Sequence, residues 1–225
     1  MQLTPETIVF GLGIFLALWY LGAAIVNRRR GLAVFFWLRN GFDQLGGEVS
    51  SRWIGSSGSG AQIQIRKAAP PFKEIQLIYL LASRELLPLF LFDLLRGKRD
   101  RLFFKATLRV ATPGEVEVVR AGSGLARQMR AEKAHPWTLQ DGPHGLLIGA
   151  RGRGAAALCA AQAPFLEKYG PLVQHISWSR QAPQFIVILS LAGLYTRGGS
   201  AAGLFTDLAA AASAAGEKDV VGGRA

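Results

Sequence analysis

The amino-acid sequence predicts an α+β fold, in which one N-terminal transmembrane helix precedes a mixed, largely antiparallel sheet packed with two or three helices. Three observations predict this fold. A long apolar run extends from Ile8 to Val26 near the start of the chain. Behind it, short segments alternate apolar and polar residues, as half-buried strands do, and longer segments repeat apolar residues at helical spacing. Interleaved strands and helices of this kind favour one α+β domain.

The apolar run is the predicted membrane anchor. Its 19 residues, IVFGLGIFLALWYLGAAIV, are about as many as a helix needs to cross a hydrocarbon core of about 30 Å. Asn27 and three arginines follow it directly, whereas Glu6 is the only charged residue before it. Positive charge favours the cytosolic side, so the N-terminus is predicted to be luminal and the body cytosolic. A cleaved signal peptide would carry its basic residues before the apolar run.

The sequence divides into four predicted parts. They are an N-out anchor over residues 1–30, a juxtamembrane amphipathic segment with a Gly/Ser linker over 31–60, a cytosolic α+β domain over 61–197, and a low-complexity Ala/Gly tail over 198–225. The anchor helix can continue past Gly31 or break there. Basic and aromatic side chains suit the head-group region of a bilayer. Five residues are therefore predicted at the membrane interface: Arg28, Arg29, Arg30, Trp37 and Arg39.

The domain is predicted from its local patterns. Strands are predicted over 61–67, 74–82, 102–110, 115–120, 146–150, 173–179 and 185–192, and helices over 84–96, 124–133 and 155–169. The turn Thr112-Pro113-Gly114 lies between the third and fourth of these strands, which are predicted to pair with each other. The tail after Gly198 is predicted to be helical only in part.

The chain is strongly basic, with a net charge of +11, and all 26 Lys and Arg residues lie after position 27. Such a domain can contact anionic lipid head groups or RNA, or use the charge for solubility alone, and composition does not separate these uses. Five cations are candidate contacts for phosphates of rRNA or lipid: Arg127, Arg130 and Lys133 on one side of a short predicted helix, and Arg151 and Arg153 in a glycine-rich turn.

The sequence matches no familiar catalytic or metal-binding motif. The glycine-rich segments at 55–60 and 149–154 lack the spacing of phosphate or dinucleotide loops. The single cysteine, Cys159, excludes an intramolecular disulfide and a cysteine-built zinc site. The loop from His135 to His144, with Asp141, is the one place where acid-base chemistry could occur, but no GxSxG elbow or carboxylate dyad accompanies it. The sequence predicts a protein that is not an enzyme and has no cofactor, metal or small-molecule substrate.

The string RELLPLFLFDLLRGKRDRLFFKATLRV occupies residues 84–110. It resembles a passage in the calumin family, the coiled-coil-domain ER membrane proteins of the PAT chaperone complex. The single N-out helix, the aromatic segment at 35–42, the string FLEKYGPLVQHISWSRQ at 165–181 and the apolar strand at 185–192 follow the family's order. The resemblance covers roughly residues 8–193. The family's acidic luminal region and Lys-rich coiled coil are replaced by seven residues and a short tail.

The resemblance implies a non-enzymatic, translocon-associated chaperone that helps multipass proteins insert and fold in the ER membrane, with translocon subunits and the ribosome as partners. The missing coiled coil puts ribosome contact through the C-terminus in doubt. The alternative is a structural subunit or assembly factor of another membrane complex, whose basic surface meets lipid. If the cell is prokaryotic, the membrane is the plasma membrane and the body is cytoplasmic. A third class is an enzyme that uses the His135 to His144 loop.

Overall fold

A computed structural model describes residues 4–97, 99–195 and 198–216 of the chain. Its first element is one continuous helix, α1, over Pro5–Arg39. The helix begins where the Thr4 side chain accepts a hydrogen bond from the backbone N–H of Thr7, and Pro5 occupies the first helical position, where proline is favoured. Thirty-five residues at about 1.5 Å each give a rod of about 52 Å. The anchor helix therefore continues past Gly31.

Gly31 is a point of close packing rather than a break. A Cβ atom at Gly31 would lie 1.8 Å from the carbonyl oxygen of Ser57, in the turn between the first two strands. The Tyr79 hydroxyl donates a hydrogen bond of 2.9 Å to the Gly31 carbonyl oxygen. Burial raises the pKa of Tyr79, so the hydroxyl keeps its proton and remains a donor. The absence of a side chain at residue 31 lets the sheet approach α1.

The predicted α+β fold is confirmed. Within the described residues, nine strands form one sheet in the order β1-β2-β3-β4-β9-β8-β5-β7-β6, and every neighbouring pair is antiparallel. The strands are β1 Glu48–Trp53, β2 Gly60–Arg66, β3 Phe72–Leu80, β4 Arg101–Leu108, β5 Glu115–Arg120, β6 Thr138–Asp141, β7 Leu146–Arg151, β8 Val173–Trp178 and β9 Phe185–Ser190.

Four further helices complete the described part of the chain: α2 Leu87–Leu95, α3 Gly124–Ala131, α4 Ala155–Tyr169 and α5 Ala202–Gly216. Short 3₁₀ turns lie at Phe42–Gln44 and Pro143–Gly145. The second half of α1, together with α4 and α5, contributes to one core cluster with alternate residues of the strands. A smaller cluster packs α3 on the sheet, through Met129 against Val119 and Leu147.

The predicted pairing of the third and fourth strands is wrong. β4 pairs with β3 and β9, whereas β5 pairs with β7 and β8. Strand β9 carries the apolar run FIVILS, which has an apolar residue at five successive positions and can occupy the centre of a sheet. Strands β9 and β8 lie between β4 and β5 in the sheet, so the segment from β4 to β5 passes over them and does not form a hairpin turn. Strands β1 and β6, at the two edges, were not predicted.

Two predicted parts of the layout also need correction. The Gly/Ser segment after Trp53 is the tight turn between β1 and β2, closed by a hydrogen bond of 3.0 Å from the Ser59 N–H to the Ser56 carbonyl oxygen, so it is not a linker. The Ala/Gly tail contains α5, in which Phe205 and Leu208 are fully buried. These side chains make α5 part of the core. Residues 217–225 of the predicted tail lie outside the described residues.

The sheet has one face that the core helices leave open. On the three adjacent strands β3, β4 and β9, the half-buried residues of this face include Ile78, Phe103, Ile186 and Ile188. The register places Ile78 beside Phe103 and Phe103 beside Ile188, so these side chains form a continuous apolar row across the strands. We call these four residues the open-face stripe.

Candidate membrane interface

The apolar half of α1 exposes most of its large side chains in the chain by itself. Their exposed fractions range from 42% at Leu16 to 73% at Phe10, whereas Trp19 is half-buried. Among the described residues, one helix is long and apolar enough to cross a membrane, and this is α1. Beyond Val26 the same helix enters the domain, where Asn27, Gly31 and Val34 are buried at helical spacing. The helix thus changes from an exposed apolar rod to a core element without an intervening linker.

A buried carboxylate lies where α1 meets the domain. Asp100, 3% exposed, accepts hydrogen bonds from the Ala82 backbone N–H at 2.8 Å and from Arg84 Nη2 at 3.0 and 3.1 Å. Arg30 Nε lies 2.8 Å from the same carboxylate, in an ion pair. Buried charges are stable when they are paired and hydrogen-bonded, and two arginines surround this one. We call Asn27, Arg30, Arg84 and Asp100 the junction cluster.

Asn27 links the helix directly to the segment that follows β3. Its amide nitrogen donates to the Ala82 carbonyl oxygen at 3.3 Å, and its amide oxygen accepts from Arg84 Nη1 at 2.7 Å. The side chain is 1% exposed, so its hydrogen bonds replace those it would make with water. The junction cluster therefore fixes both the end of β3 and the start of β4 to one turn of α1.

Helix α2 lies beside the apolar half of α1. The Trp19 indole Nε1 donates to the Arg84 carbonyl oxygen at 3.0 Å, and the rings of Trp19 and Phe90 lie 6.5 Å apart. No residue of α2 is buried, and Leu95 is 88% exposed. The sequence predicted this helix but gave no indication of its position beside α1.

The structure places the five residues predicted at the membrane interface in different surroundings. Arg28 and Arg29 are exposed directly behind the apolar half of α1, while Arg30 is partly exposed and paired with Asp100. The prediction for Trp37 is wrong: the side chain is 4% exposed and packs edge-to-face on Tyr195 in the core. Arg39 is exposed, but the continuous helix carries it about 20 Å beyond Val26, away from the end of the apolar run.

The predicted phosphate contacts lie at the far end of the sheet. Arg127 and Arg130 are exposed on α3, which ends at Ala131, so Lys133 follows the helix instead of continuing its basic side. Arg151 is engaged within the chain: its Nε lies 2.5 Å from Glu115 Oε2, and its guanidinium stacks 4.3 Å from the centre of the Trp137 ring. Arg153 is exposed in the turn before α4. That Arg127, Arg130, Lys133 and Arg153 bind phosphates stays a prediction.

A polar cluster at one side of the open face was missed by sequence reasoning. Glu117 on β5 accepts a hydrogen bond from the Ser177 hydroxyl at 2.6 Å, and its other carboxylate oxygen lies 2.5 Å from His175 Nε2. His175 and Ser177 lie 58 and 60 positions after Glu117 in sequence, so only the pairing of β5 with β8 brings them to it. They border the open-face stripe, because Ser177 lies beside Ile186.

The loop that could hold catalytic residues is open to solvent. His135, Asp141 and His144 are all exposed, and the His144 backbone has a left-handed conformation with a φ of 56°. Within the described residues, no group of three or more His, Cys, Asp or Glu side chains is arranged to hold a metal ion. Cys159 is half-buried on α4, and burial raises the pKa of its thiol.

No family model matches the sequence, and no curated protein matches it either. The resemblance to the calumin family therefore stays a prediction. Fold and interface together define a coarse class: an α+β protein with one N-terminal helix that is long and apolar enough to cross a membrane.

Proposed function

We propose that this chain is a non-enzymatic membrane-anchored scaffold, which holds the open face of its sheet at a membrane surface and binds a membrane-protein partner there. The observation that carries the proposal is the continuity of α1. An apolar rod of membrane-spanning length enters the core of the domain without a linker, and the junction cluster ties it to β3 and β4.

The open face supports binding of a partner near the membrane. Leu80 and Arg101 are register partners at the ends of β3 and β4 closest to the junction cluster. Ile78 and Phe103 lie two residues further along these strands, which corresponds to about 7 Å. The open-face stripe is bordered by the polar residues Glu117, Ser177 and Lys105. Protein interfaces have the same composition, an apolar core with a polar rim.

The proposed orientation places the N-terminus outside or in the lumen and the domain in the cytosol. Arg28 and Arg29 are exposed immediately after the apolar run, where they can contact head groups on the cytosolic side. In a eukaryotic cell, the resemblance to the calumin family favours the ER membrane. In a prokaryotic cell the same orientation corresponds to the plasma membrane, with the domain in the cytoplasm.

Within this role, the finer proposal is translocon-associated biogenesis: the domain assists insertion and folding of multipass membrane proteins as they leave the translocon. The exposed Arg127 and Arg130 would contact rRNA if the ribosome is nearby. The alternative is a structural subunit or assembly factor of another membrane complex, with the same cations on lipid. The open face serves either role, since both require a membrane-protein partner.

Site-specific photo-crosslinking in native membranes tests the proposal. A photoreactive amino acid replaces Phe103 in the open-face stripe, and a matched variant carries it at Ala163, which is exposed on α4 on the other side of the sheet. We expect adducts with integral membrane proteins from residue 103 and few from residue 163. Equal capture at both positions, or capture of soluble proteins alone, would contradict the proposal.

The identity of the adducts separates the two roles. Adducts with translocon subunits or ribosomal proteins would support the biogenesis role, and adducts with one stable membrane complex would support the alternative.

A double variant, His135→Ala with His144→Ala, tests the enzymatic class. Wild-type function with normal folding dismisses that class, because those side chains would carry the chemistry. Binding of the protein to anionic liposomes that weakens with salt would support lipid contact by the basic surface.

A further inference from the structure

We propose that α2 is a second membrane element, which inserts into the leaflet that α1 crosses next to the domain. The inference rests on the proposed membrane anchorage by α1 and goes beyond it, because it assigns a separate segment between β3 and β4 to the lipid phase. The occupant of the exposed face of α2 is then the acyl-chain region of the bilayer.

The first argument is the chemistry of α2. Its sequence, LPLFLFDLL, contains a single polar residue, Asp93, and no basic residue. Half-buried positions recur at Leu87, Phe90 and Asp93, which have the spacing of one helical face, so the acid lies on the side turned toward the protein. The other large side chains are about half exposed or more: Leu89, Leu91, Phe92, Leu94 and Leu95. A helix that exposes five large apolar residues in two turns fits lipid better than water.

The second argument is position. Phe90 contacts Trp19, and Trp19 precedes Arg28 by nine residues, which is about 13 Å along α1. One leaflet contributes about 15 Å to the hydrocarbon core. If Arg28 and Arg29 lie at the head groups, the contact between α1 and α2 lies within the hydrocarbon region. The exposed apolar surface of α2 is then continuous with that of α1.

The third argument is the arrangement of charges around α2. Before the helix, the Arg84 backbone lies beside Trp19 while its guanidinium reaches Asp100 and Asn27 in the junction cluster. After the helix, Arg96 and Arg99 are exposed. Exposed arginines such as Arg96 and Arg99 can extend their side chains from the apolar region to the head groups. Both ends of the apolar segment are thus marked by arginines, as expected for a short segment that enters and leaves one leaflet.

The consequence is attachment at two points. A single helix leaves a domain free to rotate about the helix axis, whereas α1 and α2 together fix which side of the sheet faces the bilayer. The contact of α2 with the bilayer would determine how far the open-face stripe lies from the membrane surface and in which direction it faces a partner.

Depth-dependent fluorescence quenching tests the inference in the full chain, reconstituted into phosphatidylcholine and phosphatidylglycerol vesicles with Cys159→Ala as background. An environment-sensitive dye is attached to a single cysteine at Leu91→Cys in α2. Two matched controls are Leu16→Cys in α1, 42% exposed, and Val49→Cys at the edge of the sheet, 46% exposed. Lipids with spin labels on their acyl chains quench dyes that lie within the hydrocarbon.

We expect residue 91 to behave like residue 16, with blue-shifted emission and strong quenching by the labelled lipids, while residue 49 has the emission of a dye in water. If residue 91 matches residue 49 while residue 16 is quenched, α2 is not in lipid and the inference is overturned, with the anchor intact. Blue-shifted emission at residue 91 without lipid quenching would indicate a protein contact there and overturns it as well. If residue 16 is not quenched, the proposed anchorage itself fails.

Discussion

Within the junction cluster, replacement of Asp100 by alanine is expected to destabilise the protein most, because Asp100 is the cluster's only carboxylate. The carboxylate is 3% exposed and accepts from Arg84 and the Ala82 N–H, while Arg30 lies in ion-pair distance. Alanine leaves the Arg84 guanidinium, 20% exposed, without its charged partner, and leaves the Ala82 N–H without its acceptor. The loss arises from the unpaired groups that remain, more than from the attraction removed.

The expected size follows from the burial of these groups. Breaking a buried ion pair costs about 3 to 5 kcal/mol. Arg84 and Arg30 retain some access to water, so we expect the lower end, about 3 kcal/mol. For a chain of this length, that corresponds to a decrease in Tm of about 6 to 12 °C. Asp100→Asn keeps an oxygen for the Ala82 N–H but loses the charge, and should fall between wild type and Asp100→Ala.

Thermal unfolding of the full chain in detergent micelles, followed by circular dichroism of the sheet, measures the effect. Glu48→Ala is the matched control, because Glu48 pairs with Lys67 at the surface and the two side chains are 67% and 79% exposed. An exposed pair contributes at most about 1 kcal/mol. The reasoning is refuted if Asp100→Ala lowers Tm no more than Glu48→Ala does.

Three further predictions concern other parts of the fold. Gly31→Ala should destabilise the protein by about 1 to 3 kcal/mol, because its Cβ would meet the Ser57 carbonyl oxygen. Phe205→Ala should cost about 3 to 5 kcal/mol, since this fully buried ring stacks on Phe42. Asp207→Asn should destabilise most near neutral pH: burial opposes ionisation of Asp207, but hydrogen bonds from Lys168 and Tyr169 outweigh it and lower the pKa of the carboxyl. A lowered pKa stabilises the fold above about pH 4, and that stabilisation is lost as the pH falls through the folded-state pKa.

Each of these predictions has a control within the chain. Gly22→Ala should leave Tm unchanged, because nothing lies within 4 Å of its added Cβ, and an equal loss in both glycine variants would contradict the packing argument. Ser213→Ala, at an exposed position of α5, is the control for Phe205. For Asp207, the difference in unfolding free energy between wild type and variant should be constant between about pH 5 and 9 and shrink in acid. A difference that grows in acid would show the opposite sign of pKa shift.

The sequence was sufficient for the elements whose pattern is local. The helix at Ala155–Tyr169 and the strand at Glu115–Arg120 have the predicted bounds, because periodicity is a property of neighbouring residues. The sequence was insufficient to predict which strands pair with each other. Nothing in the segment from β4 to β5 reveals that β9 pairs with β4. Composition misled in α5, where small residues between Phe205 and Ala212 look like a tail but allow close packing on α4.

Prediction of the candidate site was limited in the same way. The apolar run and Arg28 and Arg29 could be located by counting residues. Trp37 was misplaced because an aromatic residue near a membrane helix suits head groups and core equally well, and only the burial of α1 from Asn27 onward decides between them. The junction cluster combines residues as far apart as Asn27 and Asp100, so no local signal could reveal it.

The most direct test of the account is a distance within α1, since the proposed function depends on one unbroken helix from membrane to core. Spin labels at Leu18→Cys and Arg39→Cys, both exposed, are attached in the Cys159→Ala background and measured by pulsed dipolar spectroscopy in lipid nanodiscs. Twenty-one residues of helix separate the two backbones by about 32 Å. The account predicts one narrow distribution centred near that distance. A broad distribution, or a clearly shorter distance from a bend at Gly31, would contradict it.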